Sequence, residues 1–86
     1  MTKIVVGQYR TTAEAESKVV ELLQNGFPGR SISVEGKRSD VSPLKNLGIP
    51  AEYDNRKPDG IEVSVNDTLA PNYLIEELKA DTLQPS

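Results

Sequence analysis

The chain contains neither cysteine nor histidine, and these two absences exclude more chemistry than any motif in it supplies. Without cysteine there is no disulfide framework, no thiol nucleophile and no thiolate ligand, a usage that suits a reducing cytoplasm. Without histidine the common zinc and copper ligand is missing, as is the usual base of a Ser-His arrangement. Aromatics are confined to Phe27 and three tyrosines. The longest apolar run, Ile4-Val5-Val6, falls far short of the roughly 20 residues that span a bilayer, so no membrane segment is expected. Nor is a leader peptide expected ahead of the first strand. Glycines form no phosphate cradle: Gly7 is isolated, Gly26 suits a helix stop and Phe27-Pro28-Gly29 a turn, so neither GxGxxG nor a P-loop pattern occurs.

Charge of one sign is also scarce. The net charge is -3, and its distribution is uneven: residues 30–57 carry six basic side chains against four acidic, residues 58–86 one basic against six acidic. Nucleic-acid binding needs a dense cationic surface that displaces counterions, and this mild excess is a poor version of one. Nucleic acid is therefore not expected as a partner.

What is present is a globular pattern. With 86 residues, 36% of them apolar, and a mean hydropathy of -0.46, the chain makes one domain. Such a domain removes about 60–65% of its unfolded surface from water. Lys3–Tyr9 is rich in Val, Ile and Tyr, as a strand partly covered on both faces would be. Thr11-x-x-Glu14 matches a capping box. Ala15, Val19, Leu22 and Leu23 follow on one helical stripe, with Glu14 and Lys18 as an exposed i, i+4 pair. Asn25-Gly26-Phe27 closes that helix with a left-handed glycine and a phenylalanine folded back toward Leu22. Ile32 and Val34 alternate with Ser31, Ser33 and Glu35, while Ile61, Val63 and Val65 alternate with Glu62, Ser64 and Asn66, so both strands have one buried and one wet face. Between them, residues 37–58 read as a basic polar connector. It holds one helical turn in Ser42-Pro43-Leu44-Lys45-Asn46-Leu47-Gly48 and a β-turn at Lys57-Pro58-Asp59-Gly60. A last helix is expected from near Thr68 to about Lys79, capped by the Asn66-Asp67-Thr68 segment and burying Leu74, Ile75 and Leu78.

The expected fold is an α+β two-layer sandwich in the order β-α-β-β-α, ferredoxin-like but lacking the last strand, with two helices on one face of a three-stranded sheet. It occupies residues 1–81, and 82–86 form a frayed tail. A crossover makes the first two strands parallel, and the third inserts antiparallel between them. The outer edge of the first strand is then unpaired, which makes a homodimer a physical expectation.

Chemistry-bearing constellations are few. Glu35 and Glu62 share the wet face and resemble an acid/base pair, but outward glutamates on a solvated sheet are the stronger reading where no apolar pocket raises either pKa. Asp54, Asp59 and Asp67 lack calcium-loop spacing and serve turns. Tyr53, amid the basic connector, could stack on a base or ligand ring, although a tyrosine with packed ring and wet hydroxyl is the commoner use. No cofactor and no catalytic residue is expected.

The elements Val5-Val6-Gly7-Gln8-Tyr9, Thr12-Ala13-Glu14-Ala15, Asn25-Gly26-Phe27 and Ile32-Ser33-Val34 occur in an order that resembles the amino-terminal module of the general stress protein 17M-like (heat-induced stress protein) family of bacteria. The resemblance covers somewhat under half of the chain, and the glycine- and alanine-rich stretch of many such proteins is replaced by the connector. It implies a small cytoplasmic, stress-associated domain of unknown molecular activity, with no catalytic residues to carry over.

The sequence therefore points to a non-enzymatic domain that acts by self-association or by binding a protein. Its candidate surfaces are the first-strand edge (Val5, Gly7, Tyr9) and the open sheet face (Ser31, Ser33, Glu35, Glu62, Ser64). The alternative is an ACT-like sensor holding an anion or amino acid at a dimer interface, with Arg56 and Lys57 as anion contacts.

Overall fold

The computed structural model describes residues 3–54 and 60–82. Local chemistry sets the first helix, α1 (Thr12–Gln24). The Thr11 hydroxyl accepts from the Glu14 amide at 3.2 Å, satisfying one of the amides that a helix start leaves without a partner. The Glu14 carboxylate accepts from that same hydroxyl, at 3.2 Å. Lys18 pairs with Glu21 at 3.3 Å rather than with Glu14, whose carboxylate is engaged at the cap. At the other end Gly26 has φ 107°, the Phe27 amide donates to the Leu22 carbonyl and the Gly26 amide to that of Leu23. Those two bonds are the Schellman pattern read from Asn25-Gly26-Phe27. Ala15, Val19 and Leu22 are buried, Leu23 partly so.

Among the described residues four strands, not three, form a mixed sheet ordered β1-β4-β2-β3. They are β1 (Lys3–Tyr9), β2 (Ile32–Gly36), β3 (Ala51–Tyr53) and β4 (Ile61–Asn66). The last lies between the first two and is antiparallel to both. The extra strand β3 pairs in parallel with β2 at the far edge. It comes from the segment expected to be a polar connector: the helical turn expected there is present as a 3₁₀ turn (Ser42–Leu47) ended by Gly48, but α2 (Arg38–Val41) before it and β3 after it are additions. The reason is apolar: Val41, Leu44 and Ile49 are buried and join the core. Thr12 ties this region to α1 by donating its hydroxyl to the Asp40 carbonyl at 2.8 Å.

The third helix also departs from expectation. It is α3 (Asn72–Thr82), beginning four residues later than the Thr68 start. Pro71 disfavours helical backbone at Ala70 and fixes its own φ, while its carbonyl accepts from the amides of Leu74 and Ile75. Asn66 therefore caps a turn and not the helix: its Oδ1 accepts from the Thr68 amide at 2.9 Å and the Thr68 hydroxyl at 2.6 Å. Leu74, Ile75 and Leu78 are buried as the periodicity predicts.

One cluster holds the fold together. Residues from all three helices, the 3₁₀ turn and the inward positions Ile32, Val34, Ile61, Val63 and Val65 form a single core on one side of the sheet. The opposite side of β4 and β2 carries Glu62, Ser64, Ser33 and Glu35. The β-turn expected at 57–60, Gly60 excepted, lies outside the described residues; of the tail expected at 82–86, Thr82 instead ends α3, and 83–86 lie outside the described residues.

Candidate functional site

The pairing register sets out the open face in rows, because residues directly opposite in a ladder project to the same side. Lys3 lies opposite Asn66, Val5 opposite Ser64 and Gln8 opposite Glu62. Across the next ladder Ser64 lies opposite Ser33 and Glu62 opposite Glu35, and beyond it Glu35 lies opposite Glu52. Three glutamates thus stand side by side on three adjacent strands. The middle row is held by a hydrogen bond between the Ser33 and Ser64 hydroxyls at 2.9 Å, with Ser64 only 2% exposed.

A β-bulge divides the expected first-strand residues between the two faces. The β1–β4 register shifts between Val5 and Gly7, so Val6 is an inserted residue. Beyond it Gly7 faces Val63 and Tyr9 faces Ile61, which are core positions. Tyr9 packs against the core with its hydroxyl over Gly7, where a β-carbon would lie 3.0 Å from it. Val5 alone of the three shares the open face with the serines and glutamates, and it is 49% exposed. The loose alternation of KIVVGQY is the sequence trace of this bulge.

A groove of about 370 Å³ lies on the open face, lined by Lys3, Arg30, Ser31, Ser33, Pro50, Glu52, Asn66 and Leu69. Ser31 is fixed there by donating its hydroxyl to the Pro28 carbonyl at 2.7 Å. The amide oxygen of Asn66 is occupied by Thr68, so its NH₂ is the group that can donate to an occupant. The groove therefore offers two cations, one carboxylate, the Ser33 hydroxyl and an amide donor, with Leu69 and Pro50 as apolar walls. Ser31 and Ser64, expected on a wet face, are buried at 1% and 2% exposure because each hydroxyl is bonded within the protein. Glu35 and Glu62 are half-buried cross-strand partners, but neither lines this groove. Among the described residues no group of three acidic side chains is placed to hold a metal ion. Arg56 and Lys57, the expected anion contacts, lie outside the described residues.

Sequence reasoning reached Ser31 and Ser33 but missed Lys3, Arg30, Glu52, Asn66 and Leu69 as groove residues. Glu52 was out of reach because β3 was not expected, and Lys3 and Arg30 carried no spacing signal.

A second cluster sits on the other side of the sheet edge. Tyr53 pairs in register with the buried Gly36, which places it on the helical side of β3. The Arg38 guanidinium lies 5.3 Å and the Lys45 ammonium 5.1 Å from the centre of its ring. A hydrogen bond from Lys45 lowers the Tyr53 pKa below the usual tyrosine range. Ser42 adds a second bond, burial opposes them, and the charges of Lys45 and Arg38 lower it a little further.

The fold and these sites define a small α+β domain with a helix-covered sheet and an open, mixed-charge face. No family model matches the chain, and neither a curated protein nor a solved structure does. The stress-protein resemblance thus rests on the residues of the first two strands and α1 alone.

Proposed function

We propose that this is a non-enzymatic, cytoplasmic, stress-associated binding domain that engages a protein partner through the open face of its sheet. The order of the three long strands, with β4 between β1 and β2, supports a ferredoxin-like core lacking its final strand. The observation that carries the reading is the groove. Lys3 and Arg30 flank a floor of serines with Glu52 across it, a mixture suited to fixing the register of a polar partner segment rather than to splitting a bond. Self-association through the outer edge of β1 is a second form of the same reading, since that edge has no neighbouring strand among the described residues.

The test is a pull-down from native cells with the wild-type chain and with a Lys3→Glu/Arg30→Glu variant. The partner is expected with the first and not with the second. Equal capture by both, with the variant folded by circular dichroism, removes the open face from the proposal.

The small-ligand alternative is favoured by one observation: the groove falls within the roughly 300–1,000 Å³ range of small-molecule sites. In that case an amino acid or small anion raises the melting temperature, and a ligand at 100 times its dissociation constant stabilises by about 2.7 kcal/mol. A metabolite panel that leaves the melting temperature unchanged ends this alternative.

A further inference from the structure

We propose that Arg38, Ser42, Lys45 and Tyr53 form an anion site for a phosphate group, separate from the groove on the opposite face of the sheet. Four donors of complementary kind meet at this edge: a planar guanidinium, an ammonium and two hydroxyls. Both cations lie within the roughly 6 Å at which an aromatic face attracts them. Like charges gathered on one ring repel each other, and an anion between them relieves that repulsion. Each head is held by the ring, at 5.3 Å and 5.1 Å from its centre, so less side-chain freedom is lost when an anion arrives.

The chain builds this arrangement deliberately along its length. Arg38 opens α2, Ser42 and Lys45 lie in the 3₁₀ turn that follows, and Tyr53 ends β3. Buried Val41 and Leu44 anchor the helical segments between those side chains, so the donors stand on a fixed support. Arg38, Lys45 and Tyr53 are themselves exposed, which leaves the site open to a ligand from solvent. The Tyr53 hydroxyl acts as an internal reporter, since hydrogen bonds and charges that favour its ionised form favour any oxyanion placed beside it.

A tetrahedral phosphate suits the donor set better than a carboxylate. Its three or four oxygens can accept from the guanidinium fork, the ammonium and the Tyr53 hydroxyl together, with Ser42 donating to Tyr53 behind them, whereas a carboxylate offers only two oxygens. The shared chemistry is therefore phosphate, as the free ion or as a monoester.

The experiment titrates inorganic phosphate into the full chain at constant ionic strength, followed by two-dimensional NMR, with chloride as the control anion. Saturable shifts at Arg38, Ser42, Lys45 and Tyr53 are expected with phosphate and not with chloride. Arg38→Met and Lys45→Met, both at exposed positions, are each expected to weaken binding by about tenfold, the loss of one charge-assisted hydrogen bond. A parallel titration with phenyl phosphate separates the sources: tighter binding than inorganic phosphate assigns a monoester, equal binding the free ion. No saturable shift, the same shift with chloride, or shifts at Lys3 and Arg30 that survive both variants would each overturn the site. Because the groove and this cluster lie on opposite sides of the sheet, that failure leaves the open-face reading untouched.

Discussion

At the scale of single residues, close approach and hydrogen bonding decide what can be changed. Gly36 is buried in β2, and a β-carbon there would stand 2.9 Å from the Gly60 carbonyl oxygen. That neighbour is backbone and cannot rotate away. Gly36→Ala should therefore destabilise by about 1–3 kcal/mol, the usual cost of overpacking, and chemical denaturation reads it directly. Ser33 and Ser64 pose the opposite problem. Each satisfies the other, so Ser33→Ala leaves the Ser64 hydroxyl buried without its partner, at a cost of about 1–2 kcal/mol. Replacing both with alanine should cost less than the sum of the two single changes, and a double-mutant cycle measures the difference. Additive losses would show that the bond contributes nothing. Tyr53 supplies a pH signature. Its folded-state pKa lies below the unfolded one, so ionisation contributes stability above the ordinary value near 10, and that contribution is lost as pH falls through the folded value. An ultraviolet difference titration should show a phenol ionising earlier than free tyrosine. Lys45→Met should move it back up, because Lys45 is the first cause of the shift.

At the scale of elements, the two sheet edges carry different devices against unwanted pairing. β3 is three residues long and follows Pro50, which leaves little ladder to extend. β1 is seven residues long, and its protection is the bulge at Val6 together with Lys3. Deleting Val6 would bring Val5 and Gly7 into consecutive register with Ser64 and Val63, straightening the edge. The variant should lose about 1–3 kcal/mol through missing core contacts of Val6 and should also self-associate at lower concentration than the native chain. Light scattering after size exclusion checks this, and a variant that self-associates no more readily than the native chain would show that the bulge does not guard the edge. The bulge also explains what could be read from the sequence. Strands β2 and β4 were plain because strict alternation survives on a sheet with one covered face, and α1 because cap, stripe and stop agree. In β1 the inserted residue reverses the alternation halfway, so Gly7 and Tyr9 could not be assigned a face. β3 was hidden because three residues hold too little pattern, and the connector's basic side chains masked the buried Val41, Leu44 and Ile49. The start of α3 was legible in principle, since Pro71 marks it more strongly than Thr68 does.

At the scale of the whole molecule, the sheet separates two kinds of surface, and only part of each was visible beforehand. The serines and glutamates of the open face follow from alternation, but their rows depend on long-range register that no local pattern encodes. Once the register is known, the face shows a gradient: Lys3 and Arg30 at one end, and the exposed Glu52 on the far edge strand. The chain's small net charge conceals this, because the cations and carboxylates nearly cancel in sum. A partner docking on such a face is oriented by the gradient before it makes contact, which acts mainly on the rate of encounter. Exposed charges are screened over about 8–10 Å at 0.10–0.15 M salt, so the effect should be strong at low salt and fade toward physiological ionic strength. With the partner from the pull-down immobilised, surface plasmon resonance should show an association rate that falls several-fold over that range, with the dissociation rate nearly constant. A single Lys3→Glu change should reproduce the fall at low salt and flatten the salt dependence. If the change acts on dissociation instead, Lys3 makes a desolvated contact inside the interface and the gradient does not steer.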